Sequence, residues 1–341
     1  MSGNASYRHT NTSVLSVCAV DAPEVVTSAH FDELLADTYK RVGMRPGLLE
    51  RLAGIVERRW WPEDVTFVDG AAMAGAKALA EAGIDSERIG LMINTSVSRA
   101  HLEPSTAVAV HHALGLPTSC LNFDLANACL GFVNGMSLAA TMIDAGQVDY
   151  ALVVNGEDAR TVQQNTLRRL SRPDVTAQEV MANFATLTIG SGAAAMVLGR
   201  SDQHPEGHRF IGGVTRAGTS HHQLCVGDLD QMTTDTKGLL DAGLDLSAAL
   251  WEDAAAEFDW ASGMDRYVIH QISQVHTEAL CRRLAIDPAL VPRTFPSRGN
   301  IGPASVPVTL AGQVDSLEPG HRVLLMGIGS GLNASCAEIV W

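Results

Sequence analysis

Ile189-Gly190-Ser191-Gly192-Ala193 is answered far downstream by Ile328-Gly329-Ser330-Gly331-Leu332, and each pentapeptide leads into a short apolar run, Ala195 to Leu198 and Cys336 to Val340. Self-similarity at a long offset is a mark of duplication. Each copy also closes its own stretch of alternating strand-like and helix-length segments, and the polar stretch Ser201 to Arg209 separates the two. The expected architecture is α/β, made of two halves related by a pseudo-twofold axis, residues 1–205 and 206–341.

Working outward, strand-like runs span Val14 to Val20, Ile89 to Asn94, Cys120 to Asp124 and Tyr150 to Asn155. Helix-length segments span His30 to Arg41, Gly70 to Ala82 and Pro104 to Leu114, and a further helix is opened by Cys129. The strands are apolar throughout, as in sheets covered on both faces. Gly131 and Gly135 fall one turn apart in the Cys129 helix, where each costs roughly 1 kcal/mol relative to alanine. That cost predicts close packing against another central helix. Residues 160–183, with Arg168, Arg169, Arg172 and Pro173, fit neither period and are expected to form an irregular excursion over the sheet. Such excursions wall substrate channels or build dimer contacts.

Apolar residues make up 46% of the chain and charged ones 18%, the profile of a well-buried core rather than of a disordered chain. A formal net charge of −14 argues against nucleic acid or an anionic membrane surface as partner. Any anionic ligand must be met by local arginines. The six cysteines contain no CxxC pair, which points to a reducing cytoplasm and away from structural zinc. The run Val14 to Val20 lacks a preceding basic region and ends at Asp21-Ala22-Pro23, so no secretory signal is evident, and no run approaches membrane-spanning length. The doublets His111-His112 and His221-His222 hold metal ligands on paper, but adjacent residues on a helix do not face one site. No metal is assigned.

The chemistry-bearing residues come in the order cysteine, histidine, asparagine. Cys129, in Ala126-Asn127-Ala128-Cys129-Leu130-Gly131-Phe132, lies between a strand and a glycine-bearing helix. That placement exposes a nucleophile and sets its sulfur at a helix N-terminus, where backbone N–H groups favour a thiolate. His270 follows the strand Tyr267 to Ile269 at its C-terminal end, where open α/β sheets place catalytic groups. Asn300 sits in Arg298-Gly299-Asn300-Ile301-Gly302. Taken singly, each has a structural reading: a buried thiol, a satisfied core histidine, a turn residue.

Together, Asn127 to Phe132, His270-Gln271, Gly299-Asn300-Ile301 with Ala304-Ser305-Val306-Pro307, and Gly329-Ser330-Gly331-Leu332 resemble the motifs of β-ketoacyl carrier-protein synthase III, in order and over nearly the whole chain. The resemblance implies the duplicated thiolase fold, with five layers αβαβα, and a homodimer, although a heterodimer with a related subunit stays open. It implies that Cys129 takes an acyl group from a thioester, while His270 and Asn300 donate hydrogen bonds to the second thioester's oxygen as it becomes an enolate. The backbone amides of Cys129 and Ser330 would form the oxyanion hole, such donors being worth about 2.7–4 kcal/mol each. Ser330 departs from the family's usual glycine, but the role needs only an amide.

Leu102-Glu103-Pro104-Ser105-Thr106-Ala107 is similar to the glutamate segment of the head-to-head acyl-CoA condensing enzymes of long-chain olefin and β-lactone pathways. In them the glutamate enters the neighbouring subunit's site. Joining two plain acyl thioesters requires removal of an α-proton, so Glu103 is the expected base, donated across the dimer; the structural alternative is an acidic residue at a helix start beside Pro104. Gly54-Ile55-Val56-Glu57-Arg58-Arg59-Trp60 resembles the segment bordering the CoA entrance, with Arg58, Arg59 and Trp60 as ligands; a solvated basic helix end explains it equally well. The resemblance thus implies an acyltransferase that performs a non-decarboxylative Claisen condensation of two fatty acyl-CoA molecules to a 2-alkyl-3-keto acid, with no metal or redox cofactor. A decarboxylative synthase using a malonyl thioester, a Cys-His-Asn hydrolase and a non-catalytic partner subunit are the alternatives.

Overall fold

The computed structural model describes residues 6–228 and 230–341; residues 1–5, at the start of the expected N-terminal half, and Leu229 lie outside it. The N-terminal half contributes strands β1 (Ser6–Arg8), β2 (Thr12–Asp21), β3 (Glu24–Thr27), β4 (Glu57–Trp60), β5 (Leu91–Asn94), β6 (Leu121–Asp124), β7 (Tyr150–Glu157) and β8 (Gly192–Arg200). Its helices are α1 (Ser28–Leu34), α2 (Ala36–Val42), α3 (Phe67–Ala82), α4 (Thr106–Ala113), α5 (Gly131–Asp144), α6 (Arg160–Leu170) and α7 (Ala177–Ala182). The C-terminal half contributes β9 (His208–Ala217), β10 (Cys225–Gly227), β11 (Met232–Thr234), β12 (Arg266–Ile269), β13 (Arg322–Gly329) and β14 (Asn333–Val340). With them come α8 (Thr236–Ala254), α9 (Gln274–Leu284), α10 (Phe295–Arg298) and α11 (Ser305–Ala311).

The main sheet runs β12-β13-β14-β9-β2-β8-β7-β5-β6. One pairing scheme appears twice. β5 is parallel to β7, which is antiparallel to β8, and β8 to β2. Likewise β12 is parallel to β13, which is antiparallel to β14, and β14 to β9. Along the main sheet the halves join through a short β2–β9 pairing, Ser13↔Arg209 and Val14↔His208, and β1 adds a second strand contact with β9 from Ser6↔Val214 to Arg8↔Gly212, so the rest of the two sheets is free to stack as layers.

Strand alternation shows the layers. On β7, Ala151 and Val153 face one core while Leu152 and Val154 face another. The first core is central and contains Phe132, Val133 and Met136 of α5 and Val306 and Leu310 of α11, packed against strands of both halves. On the outside, α3 and α4 cover the N-terminal sheet through Ala71, Ala74, Ala78 and Val110. Leu246 and Leu250 of α8 and Cys281 and Leu284 of α9 cover the C-terminal one. The order is αβαβα, the thiolase arrangement.

Three local expectations need correcting. Gly131 and Gly135 pack against strands, not a second helix: a Cβ on Gly131 would lie 3.0 Å from the Thr95 carbonyl oxygen, and one on Gly135 would lie 3.1 Å from Val153 Cγ1. The helix expected over His30 to Arg41 is broken at Leu35 into α1 and α2. The excursion after β7 is mostly helical. α6 buries Gln163, Thr166, Leu167 and Leu170, a regular helical stripe that is half polar and therefore invisible to an apolar-period search. α7 starts at a capping box in which Thr176 and Glu179 satisfy each other's backbone N–H groups.

Candidate active site

Cys129 occupies a sharp turn between β6 and α5. The turn is closed by Leu130 N–H donating to the Asn127 carbonyl at 3.0 Å and Gly131 N–H to the Ala128 carbonyl at 3.2 Å. Ala128 takes φ of 45°, a left-handed conformation that costs a non-glycine residue on the order of 1 kcal/mol or more. The second half braces this turn. Asn333 Nδ2 donates to Asn127 Oδ1 at 3.1 Å, and Asn127 Nδ2 donates onward to Asn134 Oδ1 at 2.7 Å. Gly329 is pressed so closely that a Cβ there would lie 2.9 Å from the Asn127 carbonyl oxygen. The Ser330 turn is thereby held against the Cys129 turn.

A cavity of about 1420 Å³ opens at this junction, and Cys129, His270, Asn300 and Ser330 all line it. His270 stands at the end of β12, its N–H bonded to the Met326 carbonyl at 2.8 Å. The next residue, Gln271, fixes the chain by donating to the Ile269 and Pro292 carbonyls and accepting from the N–H groups of Thr294 and Phe295. Asn300 Oδ1 accepts from Gly302 N–H at 2.9 Å and from Ser305 Oγ at 3.4 Å. With its oxygen so engaged, the amide offers the cavity its Nδ2, a donor.

Burial sets the protonation states. The His270 imidazole is pushed down to about 3 by burial and, second, by the nearby His276, so it is neutral at physiological pH and carries one N–H. The Cys129 thiol is pushed up to about 12, chiefly by burial, then by the Cys225 thiol and the Glu157 carboxylate. Burial thus opposes the thiolate that a helix N-terminus would favour. The sulfur lies two residues before the first turn of α5, and desolvation outweighs the helix end.

Residues 123–217 match the family described as 3-oxoacyl-[acyl-carrier-protein (ACP)] synthase III, and residues 260–341 match its C-terminal part. An acyl-CoA:acyl-CoA alkyltransferase of Xanthomonas campestris pv. campestris is 48% identical over 97% of this chain and 99% of its own length. The chain belongs to the synthase III family. A second family member, the acyl-CoA:acyl-CoA alkyltransferase of Shewanella oneidensis, is 36% identical over 94% of this chain and 96% of its own. The crystal structure of a cysteine-to-serine variant of Xanthomonas campestris OleA with bound lauric acid and lauroyl-CoA superposes with a TM-score of 0.96 at 47% identity, covering 98% of this chain and 100% of that one. That protein has also been crystallised with a histidine or a glutamate replaced.

Within this synthase III chain Glu103 is exposed and lies outside the lining of its own cavity. It projects from the loop between β5 and α4 beside Leu102, which is 93% exposed. α4 begins at Thr106 with Ser105 in the N-cap position, so Pro104 precedes the helix instead of opening it and Glu103 lies clear of the first helical turn. The CoA-entrance assignment is overturned for Arg58 and Trp60. Arg58 is 0% exposed, donates to the Val26 and Leu187 carbonyls and to Ser28 Oγ, and lies 4.6 Å from the centre of the Phe31 ring. Trp60 is buried with its Nε1 donating to Gln163 Oε1 at 2.6 Å. Arg59 pairs with Glu57 at 3.1 Å and is likewise outside the lining. They sit on β4, whose alternation turns Arg58 and Trp60 inward together. The arginines that do border the cavity are Arg99 and Arg160.

Sequence reasoning also passed over Glu157, Cys225 and His276, all on the cavity wall. Glu157 carried a sign: an acidic residue closing a strand buried along its whole length must find donors.

Proposed function

We propose that this chain condenses two fatty acyl-CoA molecules head to head, through an acyl-Cys129 intermediate, and releases a 2-alkyl-3-keto acid. The observation that carries this reading is the convergence of Cys129 from one half with His270 and Asn300 from the other on one large, mostly apolar cavity. The Cys129 thiol attacks the first thioester and the proton leaves with CoA. The amides of Cys129 and Ser330 hold the tetrahedral oxyanion. For the second acyl-CoA, the neutral His270 N–H and Asn300 Nδ2 donate to the thioester oxygen, and a carboxylate removes the α-proton. The resulting carbanion attacks the acyl-Cys129 carbonyl, a carbon–carbon bond forms and sulfur leaves. Water then cleaves the remaining thioester.

Glu103 of a second copy is the base in this reading, and the assembly is a homodimer. Two features support it: the exposed Leu102-Glu103 projection, and β6 as the end strand of the main sheet with Leu121 50% exposed. As written, the reaction needs no metal or redox cofactor. The six free cysteines accord with a reducing cytoplasm, and no described helix is long and apolar enough to cross a membrane.

Incubation with myristoyl-CoA alone tests the proposal. Free CoA together with the coupled keto acid, or the ketone left by its decarboxylation, is the expected result. Product only on addition of a malonyl thioester would replace this reading with a decarboxylative synthase, and free fatty acid alone would replace it with a thioesterase.

A further inference from the structure

The mechanism leaves unused one buried carboxylate on the cavity wall. Glu157 ends β7 with 7% of its surface exposed. Its Oε1 accepts from Val97 N–H at 2.7 Å and Asn155 Nδ2 at 3.2 Å. Its Oε2 accepts from Ser98 N–H at 3.0 Å and Ser98 Oγ at 2.7 Å. With two donors on each oxygen the carboxylate is saturated, so it is well placed to hold the chain and poorly placed to take a proton from substrate.

What it holds is the start of the loop that carries Glu103. The other end of that loop is tied by a second carboxylate, Asp124, which accepts from Thr106 N–H at 3.0 Å and Ala107 N–H at 2.8 Å. Arg99, just past the first clamp, reaches Asp124 at 3.6 Å and so links the two. Leu102 and Glu103 are exposed between the fixed ends. Such double fixing gives a projecting loop the definition that a base needs if it is to work in another subunit's cavity.

We propose that Glu157 is a positioning residue for the condensation, its carboxylate clamping Val97 and Ser98 so that Glu103 is delivered correctly to the partner's cavity. This rests on the reading of Glu103 as a base acting across a dimer. Val97, Ser98 and Leu102 also border the chain's own cavity, but the loss of condensation through Glu103 falls in the neighbouring subunit.

Mixed dimers test this directly. Glu157→Gln and Cys129→Ala chains, separately tagged and co-expressed, give a dimer whose only nucleophile sits in the Glu157→Gln chain and receives Glu103 from a chain with an intact clamp. The Glu157→Gln homodimer is expected to lose condensation about 100-fold, the scale of a 1 Å misplacement, while still releasing CoA in a single turnover. The mixed dimer is expected to recover to within about twofold of a wild-type/Cys129→Ala dimer, an estimate of the scatter left once geometry is restored. A mixed dimer as slow as the homodimer would overturn the proposal, placing the action of Glu157 in its own cavity. A Glu103→Gln/Cys129→Ala dimer tests delivery across the dimer by itself: recovery there without recovery for Glu157→Gln refutes the clamp alone, and no recovery in either refutes both. Should Glu157→Gln fold poorly, Ser98→Ala removes one of the four donors and is expected to show a smaller loss with the same rescue.

Discussion

Gly190 and Gly329 are equivalent positions of the duplicated segment, and each admits backbone from the opposite half. A Cβ on Gly190 would lie 2.0 Å from the Arg298 carbonyl oxygen, and one on Gly329 2.9 Å from that of Asn127. At the first contact, Gly190 N–H donates to the Asn300 carbonyl and Asn300 N–H to that of Thr188, so the N-terminal copy fixes the asparagine turn. The C-terminal copy abuts the Cys129 turn. The repeat is thus a reciprocal brace through which each half positions the other's chemistry. The connections leading into the braces differ: β13 reaches β14 through a tight turn at Ser330, while the path from β7 to β8 is extended by α6 and α7.

The largest expected effects separate the two halves by reaction step. Cys129→Ala removes the nucleophile and with it both acylation and product. In the proposed reaction His270→Ala and Asn300→Ala would each delete a donor to the developing enolate, and condensation is expected to fall about 100- to 1,000-fold with CoA release in the first turnover retained. Rapid-quench measurement of CoA and product separates the steps. Loss of acylation in either C-terminal variant would break the division of labour.

Alanine at the paired glycines gives the next largest effects. Gly190→Ala sets a methyl against backbone with no flexible side chain to yield, and overpacking of this kind costs about 1–3 kcal/mol. Gly329→Ala meets backbone at a longer distance and is expected to cost less. Thermal melts rank the two. Kinetics should set them apart as well, with Gly190→Ala slowing condensation through Asn300 and Gly329→Ala slowing acylation through Cys129. Equal effects on both steps would reduce the brace to general stability.

The duplication, and the convergence of Cys129, His270 and Asn300 on one cavity, were legible because both rest on short local patterns that geometry preserves: glycines where backbones meet, and polar residues at strand ends and turns. Three of the misreadings share one cause, polar groups working inside. Gln163 and Thr166 hid a helix whose buried face is half polar. Arg58 looked like a surface cation because nothing in the local sequence announces that two carbonyls and a hydroxyl converge on it from elsewhere in the fold. Glu157 announced only that it needed donors; that three of the four come from Val97 and Ser98 after β5 was not readable in its own strand. Backbone shape leaves its mark in the chain's punctuation, whereas satisfaction of a buried charge is decided by distant segments.

The same burial acts on the two halves of the site with opposite sign, and this yields the smallest and most specific test. In the C-terminal half His270 is pushed down to about 3 and His276 to about 4, so both stay neutral in the fold while an unfolded chain protonates them near 6.5. Between those limits the unfolded state binds more protons, and stability must fall as pH drops from about 6.5 toward 3, by roughly 2 kcal/mol per histidine at pH 5. His276→Leu removes one share, so its melting temperature should fall less than that of the wild type between pH 7 and pH 5. Cys129, raised to about 12, is protonated in both states throughout that window and contributes nothing to the acid loss. Its effect belongs to the alkaline side, where the thiolate fraction should climb about tenfold per pH unit, and alkylation by iodoacetamide should rise without a plateau up to pH 9. A plateau below pH 8 would mean that the turn at Cys129 stabilises the thiolate after all, and that burial does not govern the two halves alike.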